Sequence, residues 1–199
     1  MSAPIQSLRA SLVLLLLTGC ASPWEQNFQA NPELGDTRFP PTQQVEMRVV
    51  EFDRLQRYEE AERKIRKEST TAPEDYTPEQ RTAAKNRLLE ALQLRERGDE
   101  IEILGWSRFA ETQHLDLRGR DLSDFAKKIG ADVVVASSAF AGPINRIVDV
   151  PLTTYSNFTT FAGPRGRRVI TGTGHTTTWV PTPVTEDQFY YEAVFLRRR

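Results

Sequence analysis

The pattern of hydrophobic and polar positions predicts four strands along the chain. The alternation is clear over residues 45–52 and 189–196, and residues 101–107 have the composition of a strand. Residues 131–138 begin with consecutive valines, which predicts a strand that is buried on both faces. The alternating apolar positions at the two ends are Val45, Met47 and Val49, then Phe189, Tyr191, Ala193 and Phe195.

Apolar residues at helical spacing, with capping residues before them, predict three helices between these strands. The predicted limits are Asp53 to about Glu68, Thr77 with Pro78 and Gln80 to about Arg97 with Gly98 beyond it, and Asp121 to Gly130. The last helix joins two strands over more than twenty residues, a length that fits a parallel crossover. These elements predict a single α+β domain over residues 45–199, with a small mixed sheet, a strand-helix-strand unit and flanking helices.

The first helix carries opposite charges four residues apart. The pairs are Glu59/Arg63, Glu60/Lys64 and Glu62/Arg66, each in the favoured order. Such a surface is typical of a solvated helix that rests one edge on the core. A partner-binding helix is the alternative.

Threonines and a shortage of acidic residues mark the segment before the last strand. Residues 153–185 contain eleven threonines, and Asp149 is the sole acid between Asp132 and Glu186. Alternation from Val148 and a turn at residues 162–166 predict a long Thr-rich β-hairpin over about 146–182, which projects from the domain.

The hairpin holds a candidate contact surface. Its members are Tyr155, Phe158, Phe161, Arg165, Arg167, Arg168 and Trp179. The aromatic rings either pair across the strands of the hairpin itself or form an exposed contact surface. The arginines either bind anionic envelope material or keep the hairpin from edge-to-edge pairing. The C-terminal residues 197–199, all arginine, have the same two interpretations.

Composition narrows the function classes. Among 199 residues, 39% are hydrophobic and 27% charged, as in a globular domain, and 26 basic residues against 27 acidic ones argue against a nucleic-acid binder. The single cysteine excludes an internal disulfide and a cysteine-rich metal site. We therefore expect no cofactor and no metal.

The N-terminus predicts a signal peptide over residues 1–19. Arg9 is followed by an apolar run that ends at Leu17 and spans roughly 12 Å as a helix, too short for a bilayer of about 30 Å. The next residues, Leu17-Thr18-Gly19-Cys20, resemble the lipobox of bacterial lipoproteins. That resemblance implies cleavage between Gly19 and Cys20, lipidation of Cys20, and, from Ala21 in the next position, retention in the outer membrane.

Residues 20–44 are predicted to form the lipidated N-terminus and a flexible linker. They contain Pro23, Pro32, Pro40 and Pro41 and show no apolar periodicity. Trp24 and Phe28 could alternatively rest at the lipid interface, since aromatic rings favour that layer.

Several motifs in residues 98–199 resemble a group of uncharacterised bacterial lipoproteins. They are Gly105-Trp106-Ser107 with Phe109, the run Ala126-Lys127-Lys128-Ile129-Gly130-Ala131-Asp132-Val133-Val134, and the closing segment at residues 187–196. The central part is also loosely similar to the stress-sensor lipoproteins of the Rcs pathway. That sensor domain depends on disulfides, which one cysteine cannot form, so the sensor's function is not carried over to this chain. Envelope stress sensing is kept only as an alternative.

Catalytic motifs are incomplete in this sequence. Residues 105–109 lack the closing glycine of a nucleophile elbow, and residues 172–175 lack the third glycine of a dinucleotide loop. His114 and His175 are about sixty residues apart without ligand spacing. An envelope hydrolase or carbohydrate-active enzyme is an alternative that predicts a deep pocket joining Trp106, Trp179 and carboxylates.

The expectation from sequence is a non-enzymatic lipoprotein of the bacterial cell envelope. It is anchored through Cys20 and faces the periplasm from the outer membrane. Its expected partners are the membrane, through the lipid, and an envelope protein, lipopolysaccharide or peptidoglycan, with no nucleic acid. A structural protein that oligomerises through sheet edges is a further alternative.

Overall fold

The strand that carries three consecutive valines lies at the centre of the structure, with both of its faces covered. The computed structural model describes residues 21–69, 71–72, 75–162 and 168–199, and it describes no side chain at 158, 160–162 or 168–170. Val133, Val134 and Val135 are each 0% exposed, and Val134 belongs to one core cluster while its two neighbours belong to the other. The prediction of a strand buried on both faces is confirmed.

The fold is α+β, as predicted, with a five-stranded mixed sheet and helices on both faces. The elements in chain order are α1 (Pro23–Gln26), β1 (Phe28–Ala30), a 3₁₀ turn (Pro32–Leu34), β2 (Glu46–Val49), α2 (Phe52–Glu68), α3 (Pro78–Ala91), β3 (Ile101–Glu111), α4 (Arg120–Ile129), β4 (Val133–Ala162) and β5 (Arg168–Arg198). The strand order is β1-β3-β5-β4-β2. Among the strands that the structure describes, β2 and β4 are the one parallel pair.

The predicted crossover joins two strands that point the same way. β3 and β4 are each antiparallel to β5, which lies between them in the sheet. Helix α4 packs on one face, where Leu122 and Phe125 contact the cluster around Phe195, and it ends at Gly130 in the left-handed conformation. Helices α2 and α3 cover the other face through Leu55 and Leu89.

The helix limits depart from the prediction in three places. Helix α2 begins at Phe52 with Glu51 as N-cap rather than after Asp53, and α4 begins after Gly119 rather than Asp121. Helix α3 keeps the predicted capping box at Thr77 but ends at Ala91. The reason is tertiary: Leu92 is fully buried, and a positive φ at Gln93 redirects the chain toward β3.

The linker prediction for residues 20–44 is wrong for the part that the structure describes. Trp24 is 2% exposed, and its carbonyl accepts a hydrogen bond of 2.7 Å from the Ser107 hydroxyl. Strand β1 pairs with β3, and the Asn31 side-chain amide donates to the carbonyl of Ile103 at 2.9 Å. These buried contacts offset the entropy cost of ordering the segment, although its composition alone suggested that it would stay flexible. Trp24 is a core residue, not an interfacial one.

Candidate functional site

The described strands of the predicted hairpin form a two-stranded ribbon that leaves the sheet. β4 and β5 pair from Val133/Leu196 to Ala162/Arg168, with one register shift between Phe140 and Gly142. Beyond Phe140 and Phe189 the described residues of the two strands pair only with each other. At about 3.3 Å per residue, residues 140–162 extend about 75 Å. The register confirms the hairpin; we call residues 140–162 and 168–189 the ribbon.

Two members of the predicted contact surface are highly exposed on this ribbon. Tyr155 is 76% exposed and its ring lies 6.4 Å from that of His175 on the opposite strand. Trp179 is 63% exposed and lies opposite Pro151. Each ring has a cross-strand neighbour and still presents most of its area to solvent, so both predicted interpretations stay open.

The remaining members of that predicted surface fall outside what the structure describes. Arg165 and Arg167 lie outside the described residues, as does the centre of the predicted turn. Phe158, Phe161 and Arg168 have a described backbone within the strands, but not described side chains. Their role in contact stays a prediction.

An aromatic cluster joins the ribbon to the domain. Phe140 and Phe189 meet at 5.7 Å where the ribbon begins, and Phe189 lies 6.4 Å from Tyr191. Tyr191 stacks on Phe109 at 5.6 Å, and Trp24 contacts both rings edge-on. The N-terminal segment therefore packs at the same end of the sheet from which the ribbon projects.

The three C-terminal arginines form ion pairs and hydrogen bonds with other residues of the domain. Arg198 pairs with Glu46 at 2.6 Å and with Glu96 at 2.6 Å, which lowers the pKa of both carboxyls. Arg199 pairs with Glu102, and Arg197 donates to two backbone carbonyls. These contacts fix the end of β5 and leave the expectation of an anionic-ligand patch at 197–199 without support.

A groove lies between helices α2 and α3 and the face of the sheet that carries Trp106. Two adjoining cavities of about 310 and 650 Å³ share Tyr58, Glu62, Arg66, Leu88 and Trp106 in their lining. The sequence analysis did not single out this groove, because its walls come mainly from four separate elements, α2, α3, β3 and β5, which only the fold brings together. Its volume suits a small ligand.

Arg108 holds two carboxylates together in this groove. Its guanidinium lies 2.5 Å from Glu59 on α2 and 2.6 Å from Glu192 on β5. Burial raises the pKa of Glu192, and Arg108 opposes the rise by stabilising the charged form. Because one guanidinium engages both carboxylates, the geometry fits an ion-pair network better than a free general acid.

A second ion pair closes the groove between the helices. Glu62 is 5% exposed and its carboxylate lies 2.5 Å from Arg87 on α3, rather than pairing with Arg66 as predicted. The predicted Glu59–Arg63 pair is present at 3.3 Å. Burial also raises the pKa of the nearby Tyr58 to about 12, so this hydroxyl stays protonated at neutral pH.

The two tryptophans of the enzyme alternative are far apart. Trp106 lines the groove and pairs with Val194, whereas Trp179 lies on the ribbon, about 50 Å away along β5. The pocket that this alternative predicted does not join them. Trp106 alone meets carboxylates.

The anchor residue lies outside the described residues, and the structure describes the chain from Ala21 onward. Within that part, no helix has the length and apolarity needed to cross a bilayer, and no group of three acidic, histidine or cysteine side chains is placed to hold a metal ion. Comparison with known proteins finds no matching family model, no similar curated protein and no similar solved structure.

Proposed function

We propose that this chain is a lipid-anchored, non-enzymatic protein of the bacterial cell envelope, which acts by contact through its ribbon. The observation that carries the anchor is the sequence Leu17-Thr18-Gly19-Cys20 directly after a short apolar run, with Cys20 as the single cysteine. A thiol in that position accepts a diacylglycerol group. Outer-membrane attachment facing the periplasm follows from Ala21 in the same pattern.

The ribbon supports the contact part of the proposal. An isolated two-stranded ribbon is marginally stable in water, and this one extends far beyond the sheet that supports it. It also exposes large apolar side chains, among them Ile147 at 73% and Trp179 at 63%. Exposed apolar groups at such density mark interaction surfaces.

Lipid labelling tests the anchor. Cells that express the chain are fed radiolabelled palmitate, and the label should follow the protein and vanish in Cys20→Ser. Ser22→Ala is the matched control, because it changes a nearby small residue outside the lipobox. Label that persists in Cys20→Ser refutes the anchor.

A ribbon replacement tests the contact. Replacing residues 156–176 with a short Gly-containing turn removes the distal ribbon and leaves the core clusters intact. The shortened protein should keep its unfolding temperature but lose its crosslinked envelope partners. Unchanged crosslinking would place the contact elsewhere, such as the groove beside Trp106.

A further inference from the structure

The ribbon has two free backbone edges. Among the described residues, β4 is covered on its outer side only by β2, at residues 133–136, and β5 only by β3, at residues 189–198. Beyond these limits each strand has one side occupied by its ribbon partner and one side open. An open strand edge presents unpaired N–H and C=O groups that can bind another strand.

Prolines show which residues point their backbone groups outward. Proline lacks the N–H group and is tolerated where that group would face away from the partner strand. The four ribbon prolines occupy pairs of the same alternate set, with no register shift between them. The pairs are Pro143/Asp187, Ile147/Pro183, Asp149/Pro181 and Pro151/Trp179. The members of this set therefore direct N–H and C=O groups to the open edges.

The same set contains no proline in the distal half of the ribbon. On β4 the outward positions from Thr153 to Phe161 all keep their N–H groups, and so do those on β5 from Val169 to Trp179. Charges are also missing: between Val150 and Ala162, and between Val169 and Thr185, no residue is acidic, lysine or arginine. The proximal edges are protected against pairing, and the distal edges are not.

The two distal edges are complementary to each other. They have similar lengths, since residues 152–162 span about 36 Å and residues 168–180 about 43 Å. They are uncharged over most of that length, so two copies meet without like-charge repulsion. Thr153 and Thr177 already bond across the ribbon through their hydroxyls at 3.2 Å, a pairing that a neighbouring copy can repeat.

A shared membrane anchor fixes the relative orientation in which the edges of two copies pair. Copies held by the lipid of Cys20 share one orientation, so the β4 edge of one copy runs antiparallel to the β5 edge of the next. This arrangement continues the alternation of the ribbon and keeps equivalent side chains on one face. Pairing β4 with β4 in the same orientation would be parallel and would exchange the faces.

The contact area requires both edges. A sheet about 10 Å thick and an edge of about 36 Å give roughly 360 Å² per partner, or about 700 Å² for one contact. Stable interfaces bury about 1,200–2,000 Å². One contact lies below that range, and a copy that is engaged on both edges buries about 1,400 Å² over its two contacts together.

We infer that the distal ribbon binds a second copy of this chain, with the outward edge of β4 at residues 153–161 paired to the outward edge of the neighbour's β5 at residues 169–179. The inference rests on the proposed function, whose contact partner it names. Each copy uses both edges, so the assembly is head-to-tail and larger than a dimer.

Two matched proline substitutions test the pairing in the full chain extracted from membranes in mild detergent. Thr177→Pro removes an outward N–H group from the unprotected edge, and Thr185→Pro removes one from the proximal edge beside Pro183. Neither group bonds within the ribbon. Thr177→Pro should reduce amine-crosslinked oligomers at least tenfold, whereas Thr185→Pro should leave them unchanged.

Site-specific crosslinking tests the geometry. Tyr155→Cys and His175→Cys chains with different tags are co-expressed and treated with a mild oxidant. A disulfide forms only between Cα atoms within about 7 Å, which fits positions 155 and 175 of adjacent copies but not two 155 positions, because those lie two strand spacings of about 4.8 Å apart. Mixed dimers should exceed homodimers of either variant at least tenfold. Should Thr177→Pro disturb the ribbon, Thr153→Lys on the other edge supplies the same test by placing a charge there.

Any one of four results overturns the inference: a monomeric wild-type chain, equal loss of oligomers in both proline variants, an excess of Tyr155→Cys homodimers, or crosslinks that form only with lipid or with another protein. Palmitate labelling distinguishes a failure of the pairing between copies from a failure of the lipid anchor. Mixed dimers in an unlabelled chain uphold the pairing and refute the anchor, whereas a labelled monomer does the reverse.

Discussion

Replacing Trp24 by alanine distinguishes a structural N-terminal segment from a tether. The Trp24 ring is 2% exposed and lies 4.9 Å from Phe109 and 6.0 Å from Tyr191. Truncating a buried tryptophan costs about 3–5 kcal/mol because the contacts are lost and a cavity is left. For a protein of this size, 1 kcal/mol lowers the unfolding temperature by about 2–4 °C, so we expect a decrease of about 6–20 °C.

Trp179→Ala is the matched control for that experiment. It removes the same side chain from a site that is 63% exposed, so the free energy of unfolding should change by no more than about 0.5 kcal/mol. The assay is thermal and urea unfolding of the chain from Ala21 onward, followed by far-ultraviolet circular dichroism. Equal unfolding temperatures for the two variants would refute the packing of the N-terminal segment.

Two further predictions concern the sheet and the groove. Gly105→Ala should lower the unfolding temperature more than Gly35→Ala, and differential scanning calorimetry compares the two. Both glycines have a positive φ, so backbone strain is common to both variants, but a Cβ at Gly105 would also lie 2.2 Å from the Gln29 carbonyl oxygen, whereas one at Gly35 meets no atom within 4 Å. Arg108→Gln should make the free energy of unfolding fall as pH rises from 5 to 7. Burial already raises the folded pKa of Glu192 above its unfolded value, and removing the Arg108 cation raises it further, so ionisation of Glu192 at higher pH destabilises the folded state. Adding Glu192→Gln should abolish that pH dependence, and a slope that persists would contradict the assignment to Glu192.

Local signals in the sequence predict the elements that depend on few distant contacts. The consecutive valines at 133–135 and the capping box at Thr77 specify their strand and helix almost alone. The alternation of the threonine-rich segment likewise predicts the ribbon, because cross-strand pairing follows directly from a period of two.

Contacts between distant segments explain what the sequence did not predict. Trp24 is ordered by Phe109 and Tyr191, which lie far along the chain, and the prolines around it suggested a linker. A local signal was present, since Ser22 caps the turn that begins at Pro23, but a cap does not reveal a burial partner. The Arg108 cluster was missed for the same reason, because its members come from α2, β3 and β5.

Under the proposed function, the tightly packed N-terminal segment limits how far the domain can lie from the membrane. Residue 20 is four peptide units from Trp24, so an acyl group there would lie within about 14 Å of the aromatic cluster at the ribbon root. With the proposed lipid at that position, the domain could not move far from the bilayer, but it could tilt. With a ribbon of about 75 Å acting as a lever arm, a tilt of about 10° moves its far end by about 13 Å. Small rocking motions at the membrane surface would therefore decide whether neighbouring molecules meet.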